Sequence, residues 1–241
     1  MSSSTWALIP RSGRLAKTVC PSVFLLARVG FTAVMAKRGS YAKSAVRRDE
    51  ILRHALAVVD EEGYAAASVT RIAEAAGISK TGVLHHFGTR ENLLTEVLRL
   101  RDELDAVEFE RPHPSLSDVE DAYLRVIGRN TRIPGMVELF TRLSVEATNP
   151  EHPAHDFFLR REKVIGAGIS ETVSRVLDER GVTDVDPDVV ALIVLAVTDG
   201  LQQRWLVDRS VDMTAAVGTL FRIFDAALTR AAPPDDHGAD T

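Results

Sequence analysis

Residues 68–87 read SVTRIAEAAGISKTGVLHHF and contain the signals for two short helices that cross closely. Ser68 and Ser79 can each accept a hydrogen bond from the free amides at the start of a helix. Gly77, between the two helices, tolerates the positive φ that a tight turn requires. The apolar positions of the stretch can face one another across the crossing. This spacing predicts a helix-turn-helix.

The second of these helices presents a polar outer face. Lys80, Thr81, Leu84 and His85 point outward in this arrangement, and Gly82 leaves little bulk between them. The N-terminal end of such a helix fits the major groove of DNA. Lys80 can contact a phosphate or a guanine edge, Thr81 a phosphate or a base, and Leu84 a thymine methyl group. The stretch therefore predicts a DNA interface.

The remainder of the chain predicts an all-α fold. Apolar residues recur three and four positions apart from Ser44 onward, without sustained alternation. We predict nine helices and no strands, divided into a helix-turn-helix domain over 35–105 and a six-helix domain over 106–231. A first helix ends at Gly63 and the two short helices follow. The later predicted helices span 90–110, 115–131, 136–147, 154–180, 188–208 and 213–230.

Charge is distributed unevenly along the 241 residues. The net charge is −5, but residues 1–36 carry four basic and no acidic residues, 37–101 carry eleven against eight, and 102–241 carry fourteen against twenty-six. A basic front on an acidic rear suits a DNA-binding head on a body that does not touch DNA. The single cysteine, Cys20, excludes an intrachain disulfide framework or a thiolate metal cage.

The two ends of the chain lie outside the predicted domains. Residues 1–34 form either a disordered leader or the product of a start codon assigned too early, with Met35 as the alternative start. Export is a competing interpretation, because the leader loosely mimics a signal sequence. Its apolar run is short and interrupted by Arg28, and we expect no membrane partner and a cytoplasmic protein. Residues 232–241 are predicted to be a disordered tail.

Other polar patterns point to no enzyme, metal or cofactor. His85 and His86 diverge by about 100° on a helix and cannot readily chelate one ion. His152 and His155 fit a solvated helix start better than a metal site. No nucleophile elbow, phosphate-binding glycine loop or zinc-protease pair occurs. Catalysis therefore has no positive support.

The rear helices supply apolar residues for two further predicted surfaces. Segment 188–206 is too apolar for a helix with a large wet face and must be covered. With the final helix it can form a four-helix bundle between two subunits, or be buried within one. The middle helices can form a solid core or a ligand cavity. The predicted dimer residues are Leu192, Leu195, Leu201, Trp205, Leu220, Phe221 and Phe224, and the predicted pocket residues are Phe109, Leu124, Ile127, Phe140, Phe157 and Phe158.

Four short motifs resemble those of the tetracycline-repressor-like (TetR) regulators: Gly63-Tyr64, Ile72-Ala73, Ala76 to Lys80, and His86-Phe87, all within Ser44 to about Leu98. The resemblance implies a homodimer with an N-terminal three-helix DNA-binding domain and a C-terminal domain that dimerises and often binds a small-molecule inducer. It also implies that Arg90 contacts phosphate. One departure is Leu84, where the family often has tyrosine. The predicted DNA-facing set is Ser68, Thr70, Arg71, Ser79, Lys80, Thr81, Gly82, Leu84, His85, Arg90, Lys43 and Arg47.

Together these features predict a DNA-binding transcriptional regulator. Its expected partners are double-stranded DNA, a second copy of the chain and an unidentified small-molecule effector that releases a repressor from a pseudo-palindromic operator. Family analogy favours repression over activation. The alternative is a small-ligand-binding or structural helical dimer without specific DNA binding.

Overall fold

The computed structural model of the chain describes residues 38–109 and 115–231, with side chains described from 44 to 229 within those ranges. The predicted leader, Lys43 and the tail lie outside the described residues or side chains. The described residues form nine α-helices and no strand, so the all-α prediction is confirmed for them. The helices are α1 (Arg38–Glu62), α2 (Val69–Ala75), α3 (Lys80–Phe87), α4 (Arg90–Ala106), α5 (Leu116–Asn130), α6 (Pro134–Glu146), α7 (His155–Arg180), α8 (Pro187–Val207) and α9 (Met213–Ala231).

Local capping signals determine most helix ends. Ser115 caps α5 in a reciprocal capping box with Asp118. Gly181 ends α7 in the left-handed conformation, as predicted for a glycine at that place. The helix predicted to reach about residue 110 changes at Val107 into a short 3-10 turn. The predicted bounds therefore hold to within a few residues.

One hydrophobic core joins the first four helices to the rear of the chain. It includes Ile51 and Val59 of α1, Phe87 of α3, Leu139 of α6 and Phe157 of α7. Because these side chains pack in one cluster, the front helices share their core with α6 and α7. The proposed division at residue 105/106 remains a prediction about domains and does not separate two cores.

Gly135 lies at a close approach between the two parts of the chain. A Cβ atom at this position would overlap the Val59 carbonyl oxygen and would lie 2.8 Å from the Gly63 Cα atom. Only a residue without a side chain fits there, so the first turn of α6 lies directly against the last turn of α1. Pro134 at the start of α6 explains why this helix begins earlier than the predicted residue 136.

A second, smaller core lies within the rear helices. It contains Ile127 of α5, Val137 of α6, Trp205 of α8, and Val217 and Phe221 of α9. These residues bring the last two helices onto α5 and α6. The buried face of α8 therefore packs inside one chain, whereas its opposite face carries exposed apolar side chains.

By length and composition, α8 is the one helix among the described residues that could cross a membrane. The helix also has a buried face that contains Val194, Thr198 and Gln202 and packs against neighbouring helices. A core helix of a globular protein meets the same criterion, so this feature does not indicate a membrane span.

Buried charges lie where α1, α4 and α5 meet. Arg101 pairs with Asp105, which also accepts a hydrogen bond from Arg129 at 3.0 Å. One oxygen of Asp60 and one Nη atom of Arg101 are buried without a hydrogen-bond partner. Burial raises the pKa of Asp60 to about 6, although the positive charge of Arg101 opposes this shift.

We predict that Gly135→Ala lowers the free energy of unfolding by about 1–3 kcal/mol, because backbone atoms of α1 must move to admit the methyl group. Gly128→Ala is the matched control, since a Cβ atom in this helical position meets nothing within 4 Å. It should be neutral or stabilising by up to about 1 kcal/mol. Urea unfolding of both variants checks the pair, and equal stabilities would contradict the close contact.

We predict that Asp60→Asn stabilises the protein at pH 8 by roughly 1 kcal/mol, after allowance for solvent screening, because it removes a poorly paired buried charge. As the pH falls from 8 to 5, the folded wild type takes up a proton near pH 6, whereas the unfolded carboxyl, with its ordinary pKa of 3.8, stays charged. The wild type should therefore gain stability relative to the variant. A stability difference between Asp60→Asn and the wild type that grows as the pH falls would contradict the raised pKa of Asp60.

Candidate nucleic-acid interface

Two serine caps and one glycine turn build the crossing of α2 and α3. The Ser68 hydroxyl accepts a hydrogen bond from the Arg71 amide at 3.2 Å, and the Ser79 hydroxyl accepts one from the Gly82 amide at 3.0 Å. Gly77 has a φ of +63°, which a residue with a side chain rarely adopts. The local geometry predicted for residues 68–87 is thus present.

The third helix buries one face and exposes the other. Val83 and Phe87 are buried in the core. Lys80, Thr81 and His85 are exposed, and 40% of the surface of Leu84 remains accessible. Burial of Val83 and Phe87 therefore holds α3 in place. The exposed residues predicted to contact DNA remain accessible.

Arg48 holds the C-terminal end of α3 in place, and the sequence interpretation missed it. Its guanidinium lies 4.3 Å from the centre of the Phe87 ring and donates a hydrogen bond to the His86 carbonyl oxygen at 3.0 Å. It also pairs with Glu96 of α4 at 3.0 Å. One arginine thus ties α1, α3 and α4 together, and only the tertiary packing reveals this role.

His86 differs from its exposed neighbour His85. Burial lowers the pKa of His86, and the neighbouring His85, Arg48 and Arg47 lower it further. This environment favours the neutral form of the ring. His86 packs beside Phe87 and adds no positive charge to the DNA-facing side.

The predicted flanking arginines are engaged within the protein. Arg71 pairs with Glu62, which lowers the pKa of that carboxyl, and Arg47 pairs with Glu50 at 2.8 Å. Arg90 stacks on the Tyr64 ring and donates to the Ala67 carbonyl oxygen at 2.9 Å. In this structure, Arg90 therefore stabilises the backbone just before α2. A phosphate contact by Arg90, implied by the family resemblance, stays a prediction. Thr70 is half-buried on α2.

The predicted pocket residues do not gather around one cavity. Phe140, Phe157 and Phe158 belong to the first core, where their rings pack edge to face. Ile127 and Leu124 belong to the second, and Phe109 lies half-buried in the 3-10 turn after α4. Of the six, only Leu124 lines the open groove of about 620 Å³ that runs along α5. Five of the six thus belong to the two cores, which agrees with the solid-core alternative, and a ligand cavity formed by them stays a prediction.

Polar side chains from four helices lie instead along the inside of the rear part. The Tyr123 hydroxyl of α5 and the Thr198 hydroxyl of α8 are 2.8 Å apart, and Gln202 is buried one turn further along α8. Arg161 of α7 pairs with Asp102 of α4 and lies over the Phe140 ring of α6. We call Tyr123, Thr198, Gln202, Arg161 and Asp102 the polar cluster. The sequence interpretation missed it because no local spacing links these five residues.

The predicted dimer residues fall into two groups. Trp205 and Phe221 are buried within one chain, so they offer little surface to a partner, and we remove them from the predicted interface. Leu192 is 65% exposed, while Leu195, Leu201, Leu220 and Phe224 are half-buried. Three apolar side chains that were not in the predicted set are also exposed: Val189, Ile193 and Ile223.

Comparisons with known proteins agree on one family. Residues 51–97 match the model described as bacterial regulatory proteins, tetR family. The transcriptional repressor AcnR of Corynebacterium efficiens is 28% identical over 78% of this chain and 94% of its own length. The regulator BetI 2 of Chromohalobacter salexigens is 37% identical over 34% of this chain and 40% of its own length.

Several of these matches are partial. For two further relatives, the BetI regulator of Stenotrophomonas maltophilia and the AcnR repressor of Corynebacterium glutamicum, the match spans 33% and 28% of the relative's length. A TetR transcription regulator from Haloarcula marismortui shares the fold, with a TM-score of 0.58 at 22% identity over 76% of this chain and 98% of its own. With the helix-turn-helix geometry and the matched residues 51–97, the front of this chain is similar to the tetR family of bacterial regulatory proteins.

Proposed function

We propose that this protein is a cytoplasmic transcriptional regulator that binds duplex DNA as a dimer and represses until a small molecule releases it. The observation that carries the proposal is the two-faced helix α3. Its inner residues Val83 and Phe87 are buried, and its outer residues Lys80, Thr81 and Leu84 are accessible. A short exposed helix with a cationic N-terminal end suits the major groove.

A dimer would present two such helices to DNA. The face of α8 opposite its buried side carries Val189, Leu192 and Ile193, all substantially exposed. Apolar residues on both sides of one helix call for a second covering surface. A second copy of the chain, packing α8 and α9 against their equivalents, supplies that cover in a four-helix bundle.

An effector would act through the rear helices. Within the polar cluster, Arg161 joins α7 to Asp102 of α4, which follows directly on the helix-turn-helix, and Thr198 joins α8 to Tyr123 of α5. We propose this cluster as the effector site. The two α3 helices of the dimer can lie at different distances from each other. A ligand that binds more tightly at one of these distances shifts the population between DNA-binding and released states.

Selection from random duplex DNA tests the proposal. The full chain should enrich a pseudo-palindromic sequence whose half-sites lie about one helical turn apart, and its affinity should fall steeply with salt. Enrichment of no sequence at moderate ionic strength would leave only the alternative of a helical dimer without specific DNA binding.

We predict that Lys80→Ala weakens binding to the selected operator and that Leu84→Ala relaxes the preference at one base pair by on the order of 1 kcal/mol. If Lys80 contacts phosphate, its loss should weaken all duplexes alike and reduce the salt slope by about one. Lys163→Ala, in an exposed position of α7, is the charge-matched control and should bind as the wild type. Equal losses for Lys80→Ala and Lys163→Ala would exclude α3 as the reading helix.

We predict that Leu192→Asp produces a folded monomer, because it places a charge in the proposed bundle. Val145→Asp is the control, since Val145 on α6 is 63% exposed, close to the 65% of Leu192. Sedimentation velocity distinguishes the outcomes. A dimeric Leu192→Asp protein, or monomers from Val145→Asp alone, would place the interface elsewhere.

A further inference from the structure

Arg161 uses only part of its hydrogen-bonding capacity. Its Nε atom donates to the two carboxylate oxygens of Asp102 at 3.2 and 3.1 Å. The guanidinium carbon lies 4.8 Å from the centre of the Phe140 ring, so this aromatic side chain supports the charged group from one side. These two contacts fix where the guanidinium lies.

Neither Nη atom of Arg161 hydrogen-bonds to any residue in the described ranges. A guanidinium has five N–H donors, so four remain without a protein partner although the side chain is only 22% exposed. Arg129 provides a contrast, because its two Nη atoms donate to Glu108 and Asp105. Both Nη atoms reach the solvent, since neither is one of the fully buried polar atoms that lack a partner. A group that enters from solvent can therefore meet them.

The free Nη edge belongs to the polar cluster. The positive charge of Arg161 acts on the pKa of Tyr123 and of Asp199, so the guanidinium lies within electrostatic range of both groups. An oxyanion that meets two parallel N–H groups of a fixed guanidinium forms the strongest type of charge-assisted hydrogen-bond pair. Lysine could not present the same planar edge.

We propose that the Nη edge of Arg161 binds a carboxylate or phosphate group of the effector. That this ligand is an effector rests on the proposed function. Anion binding by Arg161 does not itself require that the protein bind DNA. The bound anion shares the guanidinium with Asp102 and weakens its hold on that carboxylate. Asp102 lies on α4, so the anion loosens the connection between α4 and α7.

Thermal unfolding and operator binding of the full chain test this with three probes of one chain length: octanoate, octyl phosphate and octanol. At ten times its dissociation constant, a bound anion should raise the Tm by about 3–6 °C. Octanoate and octyl phosphate together distinguish a carboxylate from a phosphate preference. The same anion should lower operator affinity, whereas octanol should do neither.

Arg161→Gln should abolish the Tm rise, and Arg160→Gln is the matched control, since Arg160 is exposed beside it and has no partner among the described residues. If Arg161→Gln fails to fold, Arg161→Lys keeps the charge beside Asp102 but should weaken anion binding at least tenfold. The proposal is overturned if neither anion binds the wild type at millimolar concentration, if octanol acts like the anions, or if the Arg161 variants respond as the wild type does. Anion binding without operator binding would refute the proposed function and leave this site intact.

Discussion

The close contact between Gly135 and the last turn of α1 fixes where the helix-turn-helix lies relative to the rear helices. Because no side chain separates α6 from Val59 and Gly63, the helix-turn-helix is placed directly on the body rather than on a flexible tether. The shared core beneath this contact includes Leu139 and Phe157 in the same cluster as Phe87, and this packing makes the arrangement rigid. The direction in which α3 points is thereby set by the rear helices.

This rigidity explains how a change in the body can reach α3. Arg48 ties the end of α3 to Glu96 on α4, and the same helix carries Asp102 two turns later, where Arg161 holds it. Two arginines thus connect α3 to α7 through one helix. Such a linked pair of contacts can change between discrete arrangements more readily than it can deform continuously.

The local geometry of residues 68–87 could be predicted from sequence, and the packing between distant helices could not. Ser68, Gly77 and Ser79 act through hydrogen bonds and φ angles within four residues, so their spacing alone determines the turn. Phe140 and Leu124 were placed in one pocket because both are apolar, yet they entered different cores. Composition does not specify which neighbours a helix face meets, since that depends on packing between residues far apart in the chain.

The same limit applies to α8, which carries apolar side chains on opposite faces. Sequence could indicate that it must be covered, but not that Trp205 is covered within one chain while Leu192 stays exposed. Hydrophobic periodicity marks a buried face only where the opposite face is polar. The partly unpaired Arg161 was equally invisible, because its partners Asp102 and Phe140 lie on other helices.

Methylation interference on a selected operator shows whether α3 of each subunit enters the major groove, because a methyl group on guanine N7 projects into that groove. We expect interference at two groups of guanines, related by the symmetry of the site and about one helical turn apart. Interference restricted to adenine N3 in the minor groove, or none at any purine, would contradict it.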